Sequence, residues 1–216
     1  MLDRNFRTVI DVGANEGHFA VMARRLFPGA KLVCFEPLPD CFEKLLGRFA
    51  DDRAFIGHQV ALGSESREVD MHRSAFSASS SLLPMGALHR EVFPHSASTS
   101  VVKVPVKTLD EVLVGVELPA PVLLKLDVQG FETEVIAGAQ TTLARVGILL
   151  LEASFQQLYE NEPLFDDICQ SARNSGFRMV GIADILRNPK DGRPLQADVL
   201  FERDRGTARR PASQCP

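Results

Sequence analysis

The sequence predicts an α/β fold built on an open, doubly wound, mostly parallel sheet. Three observations predict it. Short apolar runs alternate with stretches of helical spacing, the first run closes on a glycine-bearing turn, and three later runs end on a carboxylate. In such sheets ligands bind outside the carboxyl ends of the strands, so Gly13, Glu36, Asp127 and Glu152 are expected to converge on one crevice.

Residues 8–12 are a β-branched run, and residues 15–27 follow with Phe19, Met22, Ala23 and Leu26 at helical spacing until Pro28-Gly29 stops them. Residues 31–35 form the next strand, closed by Glu36-Pro37, where the proline biases Glu36 toward extended backbone. Asp40 with Glu43 three residues later resembles a capping box, opening a helix whose Phe42, Leu45, Leu46 and Phe49 share one face. Residues 54–62 read as a third strand. Residues 68–72 and 100–106 read as an additional pair flanking the serine-rich loop 77–82, and Thr108 with Glu111 caps a short helix.

Residues 122–126 are almost continuously apolar, the pattern of a strand buried on both faces, and end at Asp127. Residues 131–143 read as one helix, with Phe131, Val135, Ala139 and Leu143 in register, followed by a strand over 147–151 that ends at Glu152. Pro163 and Gly176 bracket a helix over 164–175. Strands near 177–182 and 197–201 complete roughly seven.

A chain of 216 residues, 45% hydrophobic, supports one domain, assigned to residues 1–203, with residues 204–216 expected to be a disordered tail. The net charge of -4 gives no footprint for a phosphate backbone, so no nucleic-acid partner is expected. No apolar stretch reaches 18 residues and the N-terminus lacks a signal-like run; no membrane insertion and a cytoplasmic location are expected. Cys34, Cys41, Cys169 and Cys215 read as reduced thiols. Neither they nor His58, His72, His89 and His95 have metal-ligand spacing, so no metal is expected.

Dinucleotide enzymes bring a pyrophosphate against the backbone of a three-glycine turn. Here the three positions hold Gly13, Asn15 and His18, so a hydride-transfer cofactor is a poor fit, while a phosphate-free cofactor needs only the tight turn that Gly13 and Gly17 supply. A branched side chain at Gly13 is expected to invade the cofactor's space. Glu36, nineteen residues beyond Gly17, is placed to accept both hydroxyls of a ribose, which either cofactor class requires. Carboxylates such as Asp11 and Asp127 suit a positively charged sulfonium cofactor and would repel a pyrophosphate. Taken singly, each carboxylate reads equally as a helix cap or a solvated loop residue, and the turn as a plain βα connection.

Four segments, residues 10–17 (IDVGANEG), 35–37 (FEP), 106–113 (VKTLDEVL) and 124–139 (LKLDVQGFETEVIAGA), resemble the FkbM family of methyltransferases, with further similarity at 60–63 and 79–82. The resemblance implies a Rossmann-like class I methyltransferase fold: a three-layer α/β/α sandwich whose seven-stranded sheet is parallel except for its last strand. It implies S-adenosyl-L-methionine as methyl donor and O-methylation of a sugar, glycolipid or polyketide-type natural product. Carried over residue by residue, Asp11, Gly13, Ala14, Asn15 and Gly17 would hold the methionine part, Glu36 with Pro37 the ribose, and Val60, Ala61 and Leu62 the adenine. Asp127 would sit beside the methyl group, and Ser79, Ser80 and Ser81 would face the substrate.

Methyl transfer is an in-line displacement in which a base takes the acceptor's proton. Asp127 is the first candidate because it ends a buried strand shortly before Gly130; Glu152, Glu132 and His18 are alternatives, and Asp127 is open to a purely orienting role. Phe155, Leu158 and Tyr159 read equally as lining an acceptor pocket or a subunit contact, and the sequence leaves the oligomeric state open. A non-catalytic scaffold module would not need Gly13, Gly17, Glu36 and Asp127 together, and an NAD-linked oxidoreductase or epimerase would need the absent glycines.

Overall fold

The structure is a computed structural model that describes residues 5–204. Its strands are β1 (Thr8–Val12), β2 (Lys31–Phe35), β3 (Phe55–His58), β4 (Ala61–Leu62), β5 (Arg67–Ser74), β6 (Thr99–Lys107), β7 (Val122–Leu126), β8 (Val146–Ser154), β9 (Phe177–Arg187) and β10 (Pro194–Arg203). The helices are α1 (His18–Leu26), α2 (Pro39–Arg48), α3 (Ala87–Val92), α4 (Leu109–Val112), α5 (Glu132–Ala137), α6 (Gln140–Leu143) and α7 (Phe165–Asn174).

Seven strands form the main sheet in the order β3-β2-β1-β7-β8-β10-β9. Every pairing is parallel except those of β10, which runs antiparallel to β8 and to β9. β1 is central, and Val12 lies level with Phe35 of β2 and Leu126 of β7. Each of those strands ends there, so Gly13, Glu36 and Asp127 come out side by side. Both faces are covered: Ile10, Val12, Leu124 and Leu126 pack on one side, Val9, Leu32, Cys34 and Leu123 on the other. This is the burial that near-continuous apolar strands require.

Several expected boundaries move. The first helix begins at His18 because Asn15 and Gly17 sit at φ 48° and 87°, outside the helical region. α2 starts at Pro39 with Leu38 as its N-cap, so Asp40 lies inside the first turn and pairs with Arg73 at 2.6 Å; no capping box forms, and Leu46 is exposed. The run 54–62 is two strands. Val60 N–H bonds back to the His58 carbonyl at 3.1 Å, and this bend sends β4 into a second sheet of order β4-β6-β5.

The expected helix over 131–143 breaks into α5 and α6 at Gly138, where a Cβ would lie 2.0 Å from the Gly63 carbonyl. Asp110, from α4, caps α6 by accepting the Thr141 and Thr142 N–H groups at 2.7 Å each. β8 continues past Glu152 to Ser154, so that carboxylate stands within the strand, level with Asp198 of β10. Arg203 belongs to β10, stacking 4.4 Å above Phe177, and Asp204 N–H bonds the Gly176 carbonyl at 2.9 Å. The remainder of the expected tail, residues 205–216, lies outside the described residues, as does Cys215. Among the described residues no helix is long and apolar enough to cross a membrane.

Candidate functional site

A cleft enclosing about 640 Å³, open mouth included, lies over the carboxyl ends of β1, β2, β4 and β7. Gly13, Asn15, Glu36, Pro37, Val60, Ala61, Leu62, Ser80 and Asp127 line it, together with Leu38, Met71, Ser77, Leu82, Gln129 and Phe131. Sequence reasoning had assigned roles to the first nine. Of the rest, Leu38, Met71 and Leu82 look like ordinary core residues in the sequence and become wall only through the second sheet.

The amides of the β1–α1 turn are taken by the end of β2 and by the turn itself. Gly13 and Ala14 N–H groups both reach the Phe35 carbonyl, at 3.1 and 2.9 Å, and Gly17 N–H reaches the Ala14 carbonyl at 2.8 Å. Asn15 N–H donates to Glu36 Oε2 at 2.8 Å, and Glu16 N–H to Asn15 Oδ1 at 2.7 Å. The amides of residues 13–17 are thus all engaged, leaving none of these five for a pyrophosphate. A donor built from a ribose, an adenine and an amino acid needs none.

Glu36 accepts Asn15 N–H on one carboxylate oxygen and Leu38 N–H on the other, each at 2.8 Å, so the group is locked facing the cleft wall. Burial pushes its carboxyl up to about 7. Val60, Ala61, Leu62 and Phe131 supply apolar walls beside it. An acid flanked by apolar surface matches a nucleoside whose ribose is read by hydrogen bonds and whose base is read by contact.

Behind the cleft, Lys125 Nζ sits 3.2 Å from Asp11 Oδ1 and 3.3 Å from Asp127 Oδ2, and 5.1 Å above the Phe19 ring. Burial works against the charged lysine, but the two carboxylates outweigh it and hold Lys125 above its ordinary value. Asp11 is itself buried, does not line the cleft, and burial raises its carboxyl. Its contact is with Lys125 rather than with the cleft space. A lone lysine inside the apolar run Val122–Leu126 was the available signal for this pair.

Neighbouring protein already excludes a side chain at Gly13 and Gly17. A Cβ on Gly13 would lie 1.9 Å from the Asp127 carbonyl oxygen, and one on Gly17 would lie 2.7 Å from Leu45 Cδ1 of α2. Gly13 also lines the cleft, whereas Gly17 does not. Ala14 is buried and likewise does not line the cleft.

Glu132 is buried behind the loop after β7, where its Oε1 accepts the Val128 N–H at 2.9 Å and the Gly130 N–H at 3.4 Å; burial pushes it up to about 7. It acts as a clamp on that loop. His18 is exposed at the start of α1 and does not line the cleft. Glu152 stands beside Asp127 without a direct bond: Gln129 Nε2 donates to Asp127 Oδ1 at 2.8 Å and to Glu152 Oε2 at 2.6 Å, and Gln196 Nε2 reaches the same Glu152 oxygen at 3.0 Å. Burial, then Asp127, Glu132 and Asp198, push the Glu152 carboxyl well above the usual range.

The serine loop folds over the cleft. Ser77 Oγ lies 3.1 Å from Asn15 Nδ2, and the Ser80 hydroxyl accepts the Ser74 N–H at 3.0 Å. The Ser81 hydroxyl donates to the Gln129 carbonyl at 2.6 Å, and the Ser79 carbonyl lies 3.1 Å from the Tyr159 hydroxyl. Leu158 and Tyr159 are buried inside the molecule, and Phe155, half-buried, stacks on Phe165 at 4.8 Å. Among the described residues no group of three or more His, Cys, Asp or Glu has metal-binding geometry.

A parallel sheet with one antiparallel strand inserted next to its edge, and a phosphate-free nucleoside cleft over β1 and β2, define a class I S-adenosylmethionine-dependent methyltransferase. A family model described as the methyltransferase FkbM domain matches residues 11–179, and the chain belongs to that family.

The chain is 29% identical to the 2-O-methyltransferase NoeI of Sinorhizobium fredii over 172 residues, covering 75% of this chain and 69% of that protein. It is 30% identical to the hexuronic acid methyltransferase AglP of Haloferax volcanii over 147 residues, 66% of this chain and 54% of the relative. In backbone, 94% of the chain matches 69% of the fibrillarin pre-rRNA processing protein of Methanococcus jannaschii, with a TM-score of 0.55 and 12% identity, a likeness of fold alone.

Proposed function

We propose that this methyltransferase transfers its methyl group to a hydroxyl oxygen of a small-molecule or glycan acceptor, with Glu152 as the base and Asp127 on the donor side. The observation that carries the assignment is the unequal setting of two carboxylates joined by one amide. Asp127 lines the cleft and is paired with Lys125, whereas Glu152 lies beyond Gln129 with no cation bonded to it and a raised proton affinity. A carboxylate of raised proton affinity suits a base, and one paired with a cation suits charge stabilisation.

When bound, S-adenosyl-L-methionine supplies a methyl carbon carried on a sulfonium leaving group. Glu36 is placed to accept its ribose hydroxyls, and Val60, Ala61, Leu62 and Phe131 to flank its adenine. Asp127, together with Asn15, would hold its methionine part. Glu152 would take the proton of the acceptor's hydroxyl. Burial and the neighbouring carboxylates raise the proton affinity of Glu152, which makes it the more basic partner for the acceptor's hydroxyl proton.

The similarity to a 2-O-methyltransferase and to a hexuronic acid methyltransferase supports a sugar-type acceptor ahead of a glycolipid or polyketide. The net charge of -4 supports a small or glycan acceptor over a nucleic acid. Residues 1–203 are taken as one methyltransferase domain, and a cytoplasmic setting is supported by the free thiols of Cys34, Cys41 and Cys169.

The test measures S-adenosylhomocysteine release against neutral sugars, amino sugars, uronic acids and polyketide alcohols. With the accepted substrate, Glu152→Gln is expected to cut kcat by roughly 10²- to 10⁴-fold while leaving calorimetric affinity for the donor unchanged. Asp127→Asn is expected to weaken donor binding. Near-normal turnover in Glu152→Gln would return the base role to Asp127.

A further inference from the structure

Gln129 occupies a costly position for a side-chain-bearing residue. Its φ is 55° and that of Gly130 is 94°, so two consecutive residues leave β7 in the left-handed region. The surroundings hold it there. Ser81 Oγ donates to the Gln129 carbonyl at 2.6 Å, and Glu132 Oε1 grips the Val128 and Gly130 N–H groups on either side. A conformation kept against its local preference, and fixed from two elements, points to a side chain whose placement matters.

That side chain makes a complete set of bonds. Both Nε2 hydrogens are used, one on Asp127 and one on Glu152, and Oε1 accepts the Tyr159 hydroxyl at 2.7 Å. Tyr159 is buried, its ring meeting His89 edge-on at 5.1 Å, and burial with nearby Glu152 and Glu162 keeps its phenol protonated, hence a donor. Its single hydrogen is shared between Gln129 Oε1 and the Ser79 carbonyl.

We propose that Gln129 and Tyr159 are positioning residues for methyl transfer: Tyr159 orients the Gln129 amide, and the amide sets the spacing of Asp127 and Glu152. This rests on the reading of Glu152 as base. A neutral amide suits the task because it bonds two carboxylates without the charge that would pull Glu152 down to an ordinary carboxylate value.

The charged groups around Glu152 are Asp127 at the end of β7, Glu132 of α5, Asp198 of β10 and Lys125 of β7. Without Gln129 only Gln196 would still donate to it. The ionised form would then be less stable, and the group would take up a proton at higher pH.

The experiment uses Tyr159→Phe, which keeps the ring, and Gln129→Met, which keeps the length. Expected kcat losses are roughly tenfold and roughly a hundredfold, with calorimetric affinity for S-adenosyl-L-methionine within about twofold of the parent in Tyr159→Phe, whose side chain lies outside the cleft. The acidic limb of the kcat–pH profile should move upward by about half a unit or more in Gln129→Met.

In a Glu152→Gln background, Tyr159→Phe should cost nothing further, because a residue acting through Glu152 has nothing left to position. Additive losses, an unmoved acidic limb, or a fall in kcat matched by a fall in donor affinity would overturn the proposal. Should Tyr159→Phe fail to fold, Gln129→Met with its pH profile decides alone. Should Glu152→Gln retain activity, the base assignment fails first and is seen to fail separately.

Discussion

Replacing the Gly13 hydrogen by a methyl group would set a carbon 1.9 Å from the Asp127 carbonyl oxygen, in a backbone conformation of φ 75° that side-chain-bearing residues rarely adopt. Backbone cannot swing aside as a flexible side chain can. Gly13→Ala is therefore expected to cost about 2–4 kcal/mol of stability, from overpacking and backbone strain together, read as a lowered melting temperature. A variant melting within a degree of the parent would show that β7 gives way easily.

The same clash shows why this glycine is informative about more than a cofactor: the turn after β1 packs directly on the backbone that follows β7. Glu36 shows the complementary case. Its carboxylate is fixed by two backbone N–H groups on opposite oxygens, so its direction is set by its own turn and the neighbouring one. A residue of this kind is legible from sequence, because strand-end position and proline at the next residue suffice to place it.

Elements were legible where one face decided them. β1, β2 and β7 fall where the apolar runs lie, and α7 lies between Pro163 and Gly176, since a sheet strand buried on both faces and a bracketed helix both announce themselves locally. The break between α5 and α6 did not. The apolar register of Phe131, Val135, Ala139 and Leu143 runs straight through it, and the interruption comes from Gly138 pressed on Gly63 and from Asp110 supplying a cap across 31 residues.

The Thr141 and Thr142 amides outweigh burial and hold the Asp110 carboxyl below its ordinary value. Asp110→Ala should thus destabilise the fold by about 1–2 kcal/mol, the range of a lost helix cap, in urea unfolding. A change under about 0.3 kcal/mol would mean that α6 is held by packing alone.

For the whole molecule, buried carboxyls dominate the pH dependence of stability. Glu36 and Glu132 are each raised to about 7, so below the unfolded value of 4.5 their contribution is fully present, and it is lost as pH rises through about 7. Glu152, Asp11, Asp198 and Glu162 are raised as well and act in the same sense.

His89, lowered to about 4 by burial, works oppositely: its contribution is lost as pH falls from 6.5. Each group changes stability by about 1.4 kcal/mol per pH unit inside its window, so the more numerous carboxyls prevail between pH 5 and 7. The melting temperature should be higher at pH 5.5 than at pH 8 in the absence of donor. A melting temperature rising steadily to pH 8 would contradict the burial of these groups.

The sequence by itself determined the class of fold, the placing of Glu36 at the end of β2, the glycine turn and the strand ending on Asp127. Strand periodicity, strand-end chemistry and turn residues are properties of neighbours along the chain, and they survive translation into a list of residues. Only the tertiary structure decided that the turn's amides are all engaged, that Lys125 joins Asp11 to Asp127, and that Gln129, itself bonded by Tyr159, stands between the two carboxylates. Four of those contacts, Asn15 to Glu36, Asp11 to Lys125, Gln129 to Glu152 and Gln129 to Tyr159, cross 21 to 114 residues of chain. A glutamine and a tyrosine carry no periodic signal, and their meaning appears only when β7, β8 and the serine loop meet at one edge of the sheet.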